Sequence, residues 1–304
     1  MTRATTSTED LNPRSSRLDS MSALEIVSLM NEEDATVAGA VRPALPIIAA
    51  AVDAISERLR AGGRLFYVGA GTSGRLAVID AVECVPTFGV PPTLVTPIMA
   101  GGPAALTRSV EGAEDDVDQA TRDVEAAGVT AADALVGVAA SGTTPYVRAA
   151  LETARSRGAV TIAIANNEPA PILALADFPI AAVTGPEVLS GSTRLKAGTA
   201  QKLVLNMLST ATMVRLGKVH GNRMIDVAVT NTKLRRRAEA IVADVVGCDA
   251  STAAALLDAA HGEVKTAVLM GLTDVDATAA RARLREADGY LRRALTGEGS
   301  GEDG

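Results

Sequence analysis

The chain has 304 residues, 47% of them hydrophobic, with 29 Lys and Arg against 36 Asp and Glu and a formal net charge of −7. That length and apolar content suit one large α/β core plus a smaller piece. The acidic balance, with Arg235–Arg237 as the one basic cluster, argues against nucleic-acid binding as a main role. Two cysteines, Cys84 and Cys248, and two histidines, His220 and His261, make neither a disulfide framework nor a zinc site.

From the N-terminus, residues 1–18 are polar and read as a flexible arm. No signal-peptide core follows, and no apolar stretch long enough to span a bilayer is free of breakers, so a cytoplasmic chain with no membrane contact is expected. Asp19 or Ser20 is placed to cap a helix running to about Met30. A second helix is expected from Asn31, with Glu33 and Asp34 in its first turn, to about Arg60. Pro43 and Pro46 kink or break it, and Gly62-Gly63 ends it.

An alternation then begins. Strands are predicted at Arg64–Val68, Thr93–Thr96, Ala134–Ala139, Val160–Ala165 and Phe178–Val183, with helices over 74–84, 115–127, 144–157 and 197–217. Most of the strand segments are continuously apolar, as parallel strands covered on both faces are. The pattern is α/β, a doubly wound and mostly parallel five-stranded sheet preceded by N-terminal helices. From Asn231 the strand signals stop, and short helices separated by Gly247, Gly262 and Gly271 predict a small C-terminal helical subdomain. The expected division is therefore an arm (1–18), a sheet domain with its N-terminal helices (19–230), a helical subdomain (231–296) and a disordered Gly- and acid-rich tail (297–304).

Two turns carry the chemistry. Leu65–Val68 runs into Gly69-Ala70-Gly71-Thr72-Ser73-Gly74 and then a helix. A strand, a glycine turn and a helix start together make an anion site, because unpaired backbone N–H groups and hydroxyls point at the guest. Gly69, Gly71 and Gly74 also satisfy a dinucleotide fingerprint, but the next strand runs into Pro97-Ile98-Met99 with no carboxylate to hold a ribose. After the third strand comes Ala139-Ala140-Ser141-Gly142-Thr143-Thr144-Pro145, with Pro145 suited to a first helical turn. Either turn alone can be no more than a helix cap. Two of them at strand ends of one parallel sheet point to a phosphate cradle of Thr72, Ser73, Ser141, Gly142, Thr143 and Thr144.

These turns resemble those of sugar isomerase (SIS) domains, which bind phosphorylated sugars. In that wider family the second turn usually opens with one more serine, where this chain has Ala139. Residues 185–202, Gly-Pro-Glu-Val-Leu-Ser-Gly-Ser-Thr-Arg-Leu-Lys-Ala-Gly-Thr-Ala-Gln-Lys, resemble the signature shared by the N-acetylmuramic acid 6-phosphate etherases and the glucokinase regulatory protein. Thr8-Glu9…Asn12, Asn31–Asp34, Asp80–Gly89 and Val110–Asp116 resemble the etherases as well, so the likeness covers roughly residues 8–270. The regulatory protein carries two SIS domains in a longer chain, and this length holds one.

The resemblance implies hydrolysis of the D-lactyl ether of N-acetylmuramic acid 6-phosphate, with no cofactor and no metal. It implies Glu83 as proton donor and Glu114 as the second acid–base group, the base at C2. Read without it, Glu83 is a surface residue at a helix end, and Glu111, Glu114, Asp115 and Asp116 are an acidic helix start favoured by the macrodipole. Glu187, Ser190, Ser192, Thr193, Arg194 and Lys196 form a third patch for sugar or phosphate. Arg194 and Lys196 read equally as structural ion-pair residues, and His220 as a core or interface histidine. One tension stands out: an unbroken helix after the first turn puts Glu83 about 13 Å from Ser73 along its axis, so either the helix breaks or, as expected here, the site is shared between the subunits of a homodimer. A phosphosugar-sensing regulator and an aldose–ketose isomerase are the alternative functions.

Overall fold

The computed structural model of the chain describes residues 7–226, 229 and 231–297. The first six residues of the expected arm and all but Gly297 of the expected tail lie outside them. The chain divides into two compact units, one of Met1–Val82 with Pro92–Ala211 and one of Glu83–Pro91 with Thr212–Gly304.

The first unit begins with helices α1 (Ala23–Asp34), α2 (Val37–Val41) and α3 (Leu45–Arg60). Strands and helices then alternate: β1 (Leu65–Gly69), α4 (Gly71–Phe88), β2 (Val95–Met99), α5 (Val117–Ala126), β3 (Ala134–Val138), α6 (Pro145–Ser156), β4 (Val160–Ala165), β5 (Phe178–Ala181) and α7 (Lys196–Arg215). The five strands form one sheet of order β2-β1-β3-β4-β5, and every pairing is parallel. Phe66, Val68, Leu135 and Ala163 point to the face covered by α5 and α6, where Tyr146, Val147 and Leu151 complete the core. The intervening Leu65, Tyr67, Val136 and Ile162 are equally buried on the other face, where α3 packs on β4 and β5. Both edge strands carry a proline, Pro97 in β2 and Pro179 in β5. An edge is where a missing N–H leaves no ladder bond unmade.

Several boundaries differ from the sequence expectation. The first helix is capped by Ser22, not by Asp19 or Ser20, because Ser22 and Glu25 form a reciprocal capping box. It runs through Asn31 to Asp34, and no helix starts at Asn31. Pro43 falls in a 3-10 turn, Arg42–Ala44, and Pro46 in the first turn of α3, where its absent N–H costs nothing. Helix α4 takes in the glycine turn and continues through Pro86 to Phe88.

The arm also differs over its described residues. In place of the expected flexible arm, three short 3-10 turns form, Ser7–Glu9, Pro13–Ser15 and Leu18–Ser20. Thr8 and Asn12 are buried, and the segment bonds to Asn167 and Pro186. The segment's polar residues meet core amides and carbonyls as well as water.

The second unit holds a two-stranded hairpin, β6 (Val219–His220) with β7 (Arg223–Met224), followed by α8 (Thr232–Val246), α9 (Ala250–Ala259), α10 (Val264–Thr273), α11 (Ala277–Glu286) and α12 (Leu291–Thr296). Its core joins Ile225, Val242, Leu257, Val268, Leu269 and Leu284. Because Ile225 is fully buried in that core, the unit begins well before the expected residue 231. Lys265, almost wholly buried, donates to the Gly289 carbonyl (2.8 Å) and to Asp226 (3.1 Å), and burial holds its ammonium below the usual lysine range.

Candidate active site

Strand order β2-β1-β3-β4-β5 places the sheet's topological switch between β1 and β3, the position where ligands bind in open α/β sheets. Gly69 pairs with Val138, so the two hydroxyl turns leave neighbouring strand ends in step. The first turn is built by backbone contact. A Cβ on Gly74 would lie 2.7 Å from the Gly69 carbonyl oxygen, and one on Gly69 would lie 2.8 Å from Gly74 N. Only two glycines let β1 and α4 meet this closely. Thr72 and Ser73 follow in the first turn of α4, with Ser73 8% exposed.

The second turn is built differently. Gly142 has φ +69°, a left-handed conformation natural to glycine, and its N–H donates to the Ala139 carbonyl (3.0 Å). The Thr143 N–H and Oγ1 both donate to Ser141 Oγ (3.1 and 2.9 Å). The N–H groups of Gly142 and Thr143 are therefore engaged within the turn, and Ser141 retains its own proton to donate. Thr144 is half-buried in the N-cap position of α6, with no capping bond from its side chain.

Glu114 lies where the two turns meet. Its carbonyl accepts the Tyr146 N–H of α6 at 2.9 Å, one of the otherwise unpaired donors of a helix start. A cavity of about 330 Å³ opens beside it, lined among others by Gly71, Arg75, Met99, Glu111 and Glu114. The acidic run divides by role. Asp116 caps α5 by accepting from the Gln119 N–H at 2.8 Å, whereas Glu111 and Glu114 face the cavity beside the first turn.

Glu83 is exposed on α4. The helix is continuous from Gly71 to Phe88, so Glu83 lies about 15 Å along the axis from Ser73 at 1.5 Å per residue. One turn ahead of it, Asp80 is buried. Its Oδ1 accepts from Asn206 Nδ2 (2.6 Å) and Ser209 Oγ (3.0 Å), and its Oδ2 from the Tyr67 hydroxyl (3.0 Å). This carboxylate pins α4 to β1 and α7. The sequence reading missed it, although an acidic residue on the apolar side of a helix was a visible signal. Arg75 was missed as well. It donates to the carbonyls of Ala105 (3.0 Å) and Arg108 (3.2 Å) and so holds the loop that leads to Glu111 and Glu114.

The third patch is mainly occupied with its own folding. Glu187 is fully buried and accepts the N–H groups of Lys196 and Ala197, both at 3.0 Å, which caps α7. Burial pushes its carboxyl above the usual range despite those bonds. Lys196 Nζ donates to Glu33 Oε2 at 2.5 Å, and Arg14 Nη1 donates to Glu33 Oε1 at 2.8 Å. Burial would raise Glu33, but Lys196 and then Arg14 outweigh it and hold its carboxyl low. Ser190 Oγ donates to the Glu9 carbonyl (3.1 Å), while Ser192 and Thr193 are half-buried and Arg194 is exposed. His220 lies in the hairpin of the second unit, its imidazole held below its usual range by burial and then by Arg292 and Arg223.

Comparison with known proteins agrees with this fold. Residues 47–155 match the glucokinase regulatory protein N-terminal SIS domain, 115–211 the SIS domain, and 221–287 the C-terminal lid domain of glucokinase regulatory protein. A phosphoheptose isomerase from Francisella tularensis, 20% identical, superposes with a TM-score of 0.51 over 64% of this chain and 100% of that one, a likeness of fold alone. An N-acetylmuramic acid 6-phosphate etherase of Serratia proteamaculans is 54% identical over 95% of this chain and 97% of its own. That of Streptomyces avermitilis is 53% identical over 96% and 94%, and that of Mycolicibacterium smegmatis 52% over 95% and 97%. Whole-length identity at this level, on a sheet with both hydroxyl turns at its switch point, places the chain in the N-acetylmuramic acid 6-phosphate etherase family.

Proposed function

We propose that this chain cleaves the D-lactyl ether of N-acetylmuramic acid 6-phosphate with water, giving N-acetylglucosamine 6-phosphate and D-lactate in amino-sugar catabolism. The observation that carries the reading is Glu114, lining a cavity beside the first hydroxyl turn while its backbone is tied to the helix after the second. An ether resists direct hydrolysis near neutral pH, so the C3–O bond must be activated through its neighbour. Opening the sugar ring exposes a C1 aldehyde, which acidifies the C2 hydrogen. The Glu114 carboxylate removes that proton, the electron pair forms the C2–C3 double bond, and the C3–O bond breaks. The Glu83 carboxyl protonates the departing lactate oxygen. Water then adds at C3, and C2 takes a proton back. Two placed carboxyls are enough for this scheme.

Phosphate held by Ser73 and the second turn brings the sugar to Glu114, and Glu83 lies too far along α4 to serve that same sugar from within one straight helix. A second copy of the chain completes the site. In support, α4 leaves Ile79 and Val82 60% and 57% exposed beside Glu83, an apolar stripe suited to a subunit contact. The setting proposed is the cytoplasm, away from a membrane. The run Ala23–Arg60 has the length and composition of a membrane span, but α3 turns Ile48, Val52, Ile55 and Leu59 to the protein interior.

Incubation with N-acetylmuramic acid 6-phosphate and assay of D-lactate tests the reading, and no lactate release by folded protein refutes it. Sedimentation tests the assembly: a fully active monomer at assay concentration refutes the shared site.

A further inference from the structure

The side chain of Asn167, just beyond β4, is almost fully buried and makes four hydrogen bonds. Its Oδ1 accepts from Ser7 Oγ (2.9 Å) and the Thr8 N–H (3.1 Å). Its Nδ2 donates to Thr8 Oγ1 (2.9 Å) and to the carbonyl of Ala140 (3.0 Å). An asparagine amide offers two donors and two acceptor lone pairs, so its capacity is filled. Three of the bonds go to the N-terminal arm. The fourth goes to the residue directly before Ser141, in the second hydroxyl turn.

The arm then continues along the third patch. Asn12 Nδ2 donates to the Pro186 carbonyl (3.4 Å), the Glu9 carbonyl accepts from Ser190 Oγ (3.1 Å), and Arg14 shares Glu33 with Lys196. The Glu9 carboxylate lies 3.1 Å from where a Cβ on Gly191 would sit. The arm thus bonds directly to the loop 186–196 and reaches the loop 140–144 through Asn167, two loops distant in sequence that carry the hydroxyl and cationic residues of the site. An arm that served stability alone would need no shared partner with the turn proposed to receive the phosphate.

The structure assigns a role to this contact: the arm from Ser7 to Arg14 is a wall of the phosphosugar site, and Thr8 and Asn167 are positioning residues that fix the second hydroxyl turn for the phosphate. The inference rests on the phosphosugar reading above. Because arm docking and phosphosugar binding share one turn, they are linked: a bound phosphosugar strengthens arm docking by the same factor that the docked arm strengthens binding.

Two measurements test it. In Thr8→Val the side chain keeps its shape and loses the hydroxyl that Asn167 Nδ2 binds. KM for N-acetylmuramic acid 6-phosphate should rise about tenfold, the factor carried by one modest hydrogen bond. kcat should stay within about twofold, and Thr8→Ser should restore KM. The second measurement uses the unaltered protein. Trypsin cleavage after Arg14 and Arg17 should slow several-fold with saturating N-acetylglucosamine 6-phosphate. Unchanged KM in Thr8→Val together with faster cleavage of its arm would make the arm a stability device and overturn the proposal. Cleavage of the unaltered protein that ignores the phosphosugar would overturn it too. If Thr8→Val fails to fold, Ser7→Ala, which removes one bond to Asn167, should raise KM in the same direction, and no rise refutes the wall. An unaltered protein that binds N-acetylglucosamine 6-phosphate but releases no lactate overturns the etherase reading alone, and trypsin protection then still decides the role of the arm.

Discussion

The two hydroxyl turns share close packing at glycine and differ in the side-chain hydrogen bonds that tie them. The first is fixed by packing: Gly69 and Gly74 bring the backbones of β1 and α4 into contact, and Ser73 rides on a helix that cannot shift without opening that contact. The second is fixed by packing of Gly142 against Ala170 and by hydrogen bonds as well: Ser141 receives Thr143, Gly142 closes onto Ala139, and Asn167 holds the Ala140 carbonyl. A packed turn is stiff and intolerant of added volume. The second turn is as intolerant of added volume at Gly142, where a Cβ would lie 2.4 Å from the Ala170 Cβ, and it depends in addition on a distant partner, Asn167, which the N-terminal arm also engages. The pair gives the proposed phosphate site two tightly packed halves, of which the second is also tied to the N-terminal arm through Asn167.

The largest expected effect falls on the carboxyl between the turns. Glu114→Gln should fold normally and lose about 10²–10⁴ in turnover, as should Glu83→Gln. Glu114→Gln should also lose exchange of the C2 hydrogen with deuterated water, while Glu83→Gln keeps exchange and releases lactate slowly. Mass spectrometry of recovered substrate separates the two. The reverse pattern would exchange their roles.

Next in size is the contrast between the serines. Ser73→Ala should weaken substrate binding by about 1.5–3 kcal/mol, the range for a hydrogen bond to a charged group. Ser141→Ala should cost binding at least as much, because it removes the proton Ser141 has left to donate and also releases Thr143, loosening the turn. Calorimetric titration of both variants breaks the comparison if the order is reversed.

The packing claim is sharpened by Gly74→Ala. A Cβ placed 2.7 Å from a backbone oxygen has no side chain to push aside, so stability should fall by about 1–3 kcal/mol in denaturant unfolding. Gly102→Ala, with no atom within 4 Å of its Cβ, carries only the strain of its positive φ and should cost less.

The smallest effect concerns the arm's ionic anchor. The folded-state pKa of Glu33 lies below its ordinary 4.5, since Lys196 and Arg14 outweigh burial. The folded state therefore binds fewer protons there than the unfolded one, and stability rises with pH in that window. Glu33's contribution is complete above about pH 4.5 and is lost as pH falls through the lowered value. Unfolding curves of the unaltered chain and Glu33→Gln should converge on the acid side and separate above it.

Sequence alone determined much of this protein. The alternation of apolar runs and helical segments set a five-stranded parallel sheet, because strands covered on both faces must be apolar throughout. Glycines at 69, 71 and 74 and the Ser-Gly-Thr-Thr run located both turns, since few residue types allow those backbones. Tertiary structure decided the rest. Composition could not tell that polar residues 7–14 dock on buried amides, because Ser7, Thr8 and Asn12 read the same whether their partner is water or Asn167. Nor could it tell that Glu187 and Lys196 serve the start of α7 and Glu33, that Asp80 pins α4, or that Ile225 belongs with the helical core. Each depends on a partner distant along the chain, and local patterns carry no information about which distant group fills a hydrogen bond.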